Sequence, residues 1–310
     1  MSFQINKQQF GEFQCVHLEL TNVCRASILD IGCTLNRFTW LSKNIELING
    51  YPNSEVLNNE ISQNFKGVIL APFANRVNEA KYHFNQYYAL DKVWPQSSFA
   101  IHGYMYNKIF EVASSVITDS TASQTFVCHY NGSDKGYPFQ FKLEVTYTLH
   151  LNGKLTCSTI ITNLYSSKIP FILGWHPLFF NVPSINKLKL NFNSAYVIEL
   201  DDISIPIGSK PFNQYQTPKY ITENIDHCFK LTQNVVTIID DENSFKLNII
   251  MDEGIQNFEY IQIYTPPQRQ SIAIEPMSSW PDAFNNKNSL LQIEPNQNVS
   301  LSYSIQYQAI

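Results

Sequence analysis

Charge is scarce in this chain. Only 15% of its 310 residues are Asp, Glu, Lys or Arg, against 44% hydrophobic and 14% aromatic, so it has the apolar content of a folded globule and not the composition of a disordered one. Basic residues are fewer than acidic ones, 21 against 26, for a formal net charge of −5; a phosphate-tracking surface, and so a nucleic-acid partner, is not expected. The opening MSFQINKQQFGEFQ has neither a basic n-region nor an apolar h-region, and no run approaches the ~20 apolar residues that cross a bilayer. The expectation is a cytoplasmic, soluble protein with no membrane partner. Cys15, Cys24, Cys33, Cys128, Cys157 and Cys228 form no CxxC pair and have no His at zinc-finger spacing, so they read as buried reduced thiols and no metal site is expected.

Helices are scarce as well. Ser54 to Phe65 and the stretch after Pro281 are the candidates, both short. No flexible linker, composition shift, internal repeat or low-complexity tract divides the chain, which reads as one domain over residues 1–310.

What is abundant is alternation. In FKLEVTYTLHL, Phe141, Leu143, Val145, Tyr147, Leu149 and Leu151 share one face against Lys142, Glu144, Thr146, Thr148 and His150, the pattern of a half-buried strand. Asn152-Gly153 and then KLTCSTIITN follow, which predicts a hairpin closed by a two-residue turn. The same period recurs in SFKLNIIMD and VSLSYSIQYQAI, with shorter candidates in KYHFNQYYAL, KIFEVASSVIT, QTFVCHY, KLKLNF, VVTIID and EYIQIYTP. Many short strands with frequent turns predict an all-β fold, a large antiparallel β-sandwich with few short helices.

Four segments place ionisable groups beside Gly, Pro or aromatics. In LAPFANRVNEAKY, Asn75-Arg76 follows an apolar run and offers a guanidinium fork to hydroxyls or a carboxylate. In FAIHGYMYNKIFEV, His102 ends an apolar stretch before Gly103, so the imidazole projects from a strand end. In FILGWHPLFFN, His176 sits between Trp175 and Pro177. In IYTPPQRQSIAIEPMSSWPDAFNN, Glu275 closes an alternating strand before Pro276, where apolar neighbours would raise its pKa toward that of a useful base. Singly, each of these residues is as readily structural. His17, His83, His129, His150 and His227 lack such context.

Asn75-Arg76, Ile101-His102-Gly103, Gly174-Trp175-His176-Pro177, Asp226 in IDHCFKL and IAIEPMSSWPDAFN, in this order, resemble the aldose 1-epimerase family of galactose-mutarotase-like proteins, from the Gly32-Cys33 turn to the final strand. The resemblance implies a β-supersandwich with an open sugar cleft and a cofactor-free interconversion of α and β anomers of an aldose. It implies Glu275 as general base at the anomeric hydroxyl, His176 as general acid at the ring oxygen, and His102, Arg76 and Asp226 as substrate-binding residues. A Glu/His pair can supply the one proton removed and the one delivered that ring opening requires. The partner is then a small sugar, bound by a monomer or homodimer.

The sequence departs from the better-known galactose mutarotases at Trp175, where Asn usually precedes the histidine, at Leu178, where they carry Tyr, and at Pro276-Met277. These features resemble a divergent branch, so galactose is not assumed. Alternatives are a hexose-6-phosphate 1-epimerase, for which Arg37, Arg76 and Arg269 would have to converge, a non-catalytic carbohydrate-binding protein, and a glycosidase pairing Glu275 with Asp226 or Asp282. Trp280, Trp175, Phe179 and Tyr264 flank the motifs as candidates for stacking on a sugar, and His227 competes with Asp226 for the inward position.

Overall fold

The computed structural model describes residues 2–254 and 256–310. Phe141–His150 alternates buried and half-buried along its whole length and lies between Thr121–Tyr130 and Leu155–Asn163 in continuous antiparallel register. From there the large sheet runs through Asn298–Ala309, Phe245–Met251, Asp226–Asp240, Tyr260–Tyr264 and Ile272–Met277, each ladder antiparallel. Lys189–Leu200 pairs with Asp226–Asp240 as well.

A five-stranded meander, from Phe3–Phe10 to Ile45–Glu46, packs against this sheet. Trp40 meets Tyr307 with ring centroids 4.4 Å apart, and the Tyr147 hydroxyl donates to the Cys33 carbonyl at 3.1 Å. Leu143, Val145, Leu149, Leu247 and Ile249 are fully buried, each contributing roughly 1.5–3 kcal/mol relative to an exposed position. The all-β antiparallel sandwich is as the alternation predicts. Six free cysteines remain, five of them buried.

Two α-helices occur among the described residues, Ser54–Asn64 and Ala283–Asn286, and no helix is long and apolar enough to cross a membrane. The first starts where the Asn53 side chain accepts from the Val56 N–H at 2.9 Å. It buries Leu57 and Ile61 and ends on Phe65 in the left-handed conformation.

Two local expectations are corrected. The hairpin loop after His150 has three residues, because the His150 N–H donates to the Lys154 carbonyl and the Gly153 N–H to the His150 carbonyl, both at 2.9 Å. Gly153 alone takes positive φ there, a turn followed by a left-handed residue. Leu151 therefore leaves the apolar face and is 50% exposed. Glu275 does not close its strand, since Ile272–Met277 continues past it and is buried at every position.

Short ladders at the sheet's far end carry the polar motifs. Gly174–Trp175 pairs with Ile69–Leu70 and with Met277. Arg76–Val77 pairs with Ala100–Ile101, and the chain then turns through His102 and Gly103, at φ 62° and 70°. A Cβ on Gly103 would lie 2.1 Å from the Ala71 carbonyl oxygen. Gly103→Ala is therefore expected to cost about 2 kcal/mol or more, read as a lowered urea midpoint; a parental midpoint would show that this turn yields freely.

Candidate active site

Five chain segments converge on one cavity of about 520 Å³, and all five predicted site residues line it: Arg76, His102, His176, Asp226 and Glu275. The volume lies within the range of small-molecule sites. Strand register brings the carboxylates in. Gln262 is the cross-strand partner of Glu275, and Asp226 that of Tyr264. Because successive residues face opposite sides of a strand, Asp226 reaches this cavity while His227 lines a separate hollow of about 320 Å³.

The imidazoles arrive on breaks between short strands. His176 is held by its backbone, its N–H donating to the Val68 carbonyl at 3.1 Å and its carbonyl accepting from Gly67 at 2.8 Å. His102 and Asn75 fix each other. The His102 N–H donates to the Asn75 carbonyl at 3.1 Å, and the Asn75 N–H donates to His102 Nδ1 at 3.3 Å. An accepting Nδ1 leaves the proton of neutral His102 on Nε2. Burial, with the His176 and Arg76 charges adding to it, holds His102 well below the usual imidazole range.

A directed chain of hydrogen bonds crosses the floor. The Arg76 N–H donates to Asn75 Oδ1 at 2.8 Å, Asn75 Nδ2 to Gln262 Oε1 at 3.2 Å, and Gln262 Nε2 to Asp226 Oδ1 at 2.6 Å. Asn75 and Gln262 are 4% and 3% exposed, where an unpaired amide would cost about 1–3 kcal/mol. Sequence reasoning gave Gln262 no role, although a single amide inside the apolar run EYIQIYTP was a readable signal.

Glu275 and His176 meet at the centre, with Oε1 3.4 Å from Nε2. Glu275 Oε2 and His176 Nδ1 have no hydrogen-bond partner among the described residues. Burial raises Glu275 well above the carboxylate range, the Asp226 charge adding to this and Arg76 opposing it. Burial lowers His176 to about 4. Both directions favour a carboxylic acid facing a neutral imidazole over an ion pair, and in either form the pair holds one proton. Arg76 stands over the Phe99 ring at 5.0 Å, and desolvation lowers its pKa against the pull of Asp226 and Glu275.

The other candidates fall elsewhere. Of the four aromatics flanking the motifs, Tyr264 lines the cavity; Trp175 and Phe179 are fully buried in the core, and Trp280 packs on Tyr196. Trp94 and Phe65, unforeseen, line it instead. Arg37 pairs with Glu46, and Arg269 holds Asn186 and Asn224, so neither joins Arg76. Asp282 is an anchor, accepting from the Asn78 N–H at 2.9 Å and donating its own N–H to the Arg76 carbonyl at 2.8 Å. Among the described residues no group of three or more His, Cys, Asp or Glu side chains is placed to hold a metal ion.

The sequence profile of a family described as aldose 1-epimerase matches residues 14–307. An uncharacterised Escherichia coli protein, YihR, is 26% identical over 250 residues, 77% of this chain and 78% of that protein. Among solved structures, a galactose mutarotase-like protein of Clostridium acetobutylicum superposes with a TM-score of 0.88 at 17% identity, over 100% of this chain and 99% of that one. The galactose 1-epimerase of Lactobacillus acidophilus does so at 0.82 and 16%, over 100% and 99%. These two likenesses are of fold.

The raised Glu275 pKa has a consequence for stability. Above pH 4.5, the ordinary value, the unfolded chain releases a proton that the native state keeps, so stability falls as pH rises toward the folded value. Glu275→Gln, which cannot ionise, is expected to melt about 2 °C or more above the parent at pH 8 and to flatten the dependence of Tm on pH. A parental slope in the variant would contradict the raised pKa.

Proposed function

The chain belongs to the aldose 1-epimerase family, and on that premise we propose that it interconverts the α and β anomers of a free aldose by opening and reclosing the pyranose ring. The observation that carries this reading is the 3.4 Å approach of Glu275 to His176 inside a sugar-sized cavity. Binding alone does not call for an acid beside a base.

The pair's single proton sets the order of events. Sugar hydroxyls and the Arg76 guanidinium restore the solvation that burial removed, so the proton passes to His176 and leaves Glu275 as carboxylate. Glu275 then takes the proton from the C1 hydroxyl as His176 delivers its own to the ring oxygen; the C1–O5 bond breaks and C1 becomes the aldehyde carbon. Glu275 is now protonated and His176 neutral, the same form that the empty cavity favours. Rotation about C1–C2 presents the other face of the aldehyde to the C5 hydroxyl, and the two groups reverse roles as the ring recloses. His102 donates from Nε2, and Arg76 and Asp226 hold the remaining hydroxyls.

A free sugar fits this cavity better than a sugar phosphate. Arg76 and Lys66 are the basic residues lining it, and Lys66 Nζ stands 3.6 Å from Glu60, so no guanidinium cluster awaits a phosphate.

Polarimetry of freshly dissolved α-D-glucose and α-D-galactose, with their 6-phosphates in parallel, tests the reading. The parent protein is expected to accelerate relaxation of a free sugar, Glu275→Gln and His176→Asn to lose about 10²-fold or more in kcat with KM little changed, and His150→Asn, whose ring bonds Thr156 on a remote strand, to match the parent. No acceleration of any of the four sugars would overturn it.

Activity also requires the pair to hold one proton, neither two nor none. The rate is expected to rise with pH through an acid limb near 4, where His176 sheds a second proton, and to fall on the alkaline side as the pair loses its last one. An alkaline limb at the ordinary imidazole value of about 6.5 would show that burial does not govern the pair.

A further inference from the structure

Phe65 occupies a conformation that a phenylalanine rarely takes. It terminates the helix Ser54–Asn64 at φ 49° and ψ 25°, with its N–H donating to the Ile61 carbonyl at 3.1 Å, a position where Gly or Asn normally stands because a Cβ is strained there. The side chain is 2% exposed and lines the cavity. Its ring meets His102 edge-on with centroids 4.6 Å apart and lies 6.5 Å from that of His176. The two imidazoles are perpendicular to each other at 5.5 Å. Tyr106, edge-on at 5.1 Å, and Trp94, at 6.2 Å, back the ring from other sides. A strained cap whose ring packs edge-on against His102 and stands next to His176 calls for a reason beyond ending a helix.

We propose that Phe65 is a positioning residue, a wedge that fixes the plane of His102 and excludes water from His176. Its effect on rate rests on the epimerase reading; its effect on the imidazoles rests on geometry alone. A wedge at this place shuts out the solvent that would otherwise stabilise a charged imidazole, and so keeps both rings neutral until a sugar arrives. The other groups facing the two rings are Glu275 on its strand, Arg76 and Asp226 on theirs, Tyr264 across the cavity and Lys66 next to the cap. The wedge contributes to none of these charges, so its removal changes solvation and orientation only.

Two substitutions separate the ring from the cap. Phe65→Gly relieves the left-handed strain and removes the ring; Phe65→Leu keeps the strained cap but, smaller and without a flat edge, opens a gap beside both imidazoles. Histidine ring ¹⁵N NMR titration and polarimetric kinetics are run on the parent and on both variants, with thermal unfolding to confirm the fold. In the folded variants the His176 titration is expected to move up by about one unit or more, the acid limb of the rate with it, and kcat to fall about tenfold with KM within about twofold. Phe65→Tyr, which keeps the edge, is expected to restore the parental titration. A folded Phe65→Leu protein with parental His102 and His176 titrations overturns the proposal, as does an equal loss in kcat and KM with unmoved titrations. A parent without epimerase activity whose imidazoles still respond to Phe65→Leu supports the wedge and overturns the epimerase reading, so the two failures are distinct.

Discussion

Two ionisable side chains, Glu275 and His176, face each other, buried, at the wall of one cavity, and much of the architecture holds them there. A carboxyl and an imidazole at 3.4 Å in water would ionise separately. Buried beneath a helix end and two sheet strands, they become a unit whose charge distribution is settled by whatever else enters the cavity. Burial favours the uncharged form of the pair, and on the proposed mechanism arriving sugar hydroxyls shift the balance toward the ion pair.

The supports divide by task. Glu275, Gln262 and Asp226 stand on long, fully paired strands, so their mutual geometry is set by sheet register, the least yielding device that a β-protein has. Arg76, His102 and His176 stand on short ladders and turns. These are fixed by single hydrogen bonds and by left-handed backbone at Asn75 and His102, held in turn by the Asp282 carboxylate and the Ala71 carbonyl.

That division also explains what could be read from the sequence. The strands Phe141–His150, Phe245–Met251 and Asn298–Ala309 announce themselves by alternation, because one face of each is buried. Ile272–Met277 alternates only at its start and is buried at every position, so alternation does not mark its end, and from the sequence Glu275 reads as the strand end. That Arg76, His102, His176, Asp226 and Glu275 belong together was legible through the order of their motifs, whereas the presence of Phe65 and Trp94 in the same cavity was not: it depends on where a helix terminates in space, and no periodicity encodes that. Gln262 lay between the two cases, a polar interruption whose meaning needs its partners across the sheet. The three-residue hairpin loop shows the same limit, as one extra residue moved Leu151 from core to surface without altering the dipeptide that signals a turn.

The ladder of Arg76–Val77 with Ala100–Ile101 is a separate two-stranded pairing, anchored by Asp282 and tied to the strands of Glu275 by the Asn75–Gln262 hydrogen bond. Arg76, proposed to hold the substrate, therefore stands on a different ladder from Glu275, the proposed base. On the proposed reading, side chains on that ladder can be exchanged to suit another sugar while the Glu275–His176 pair stays in place.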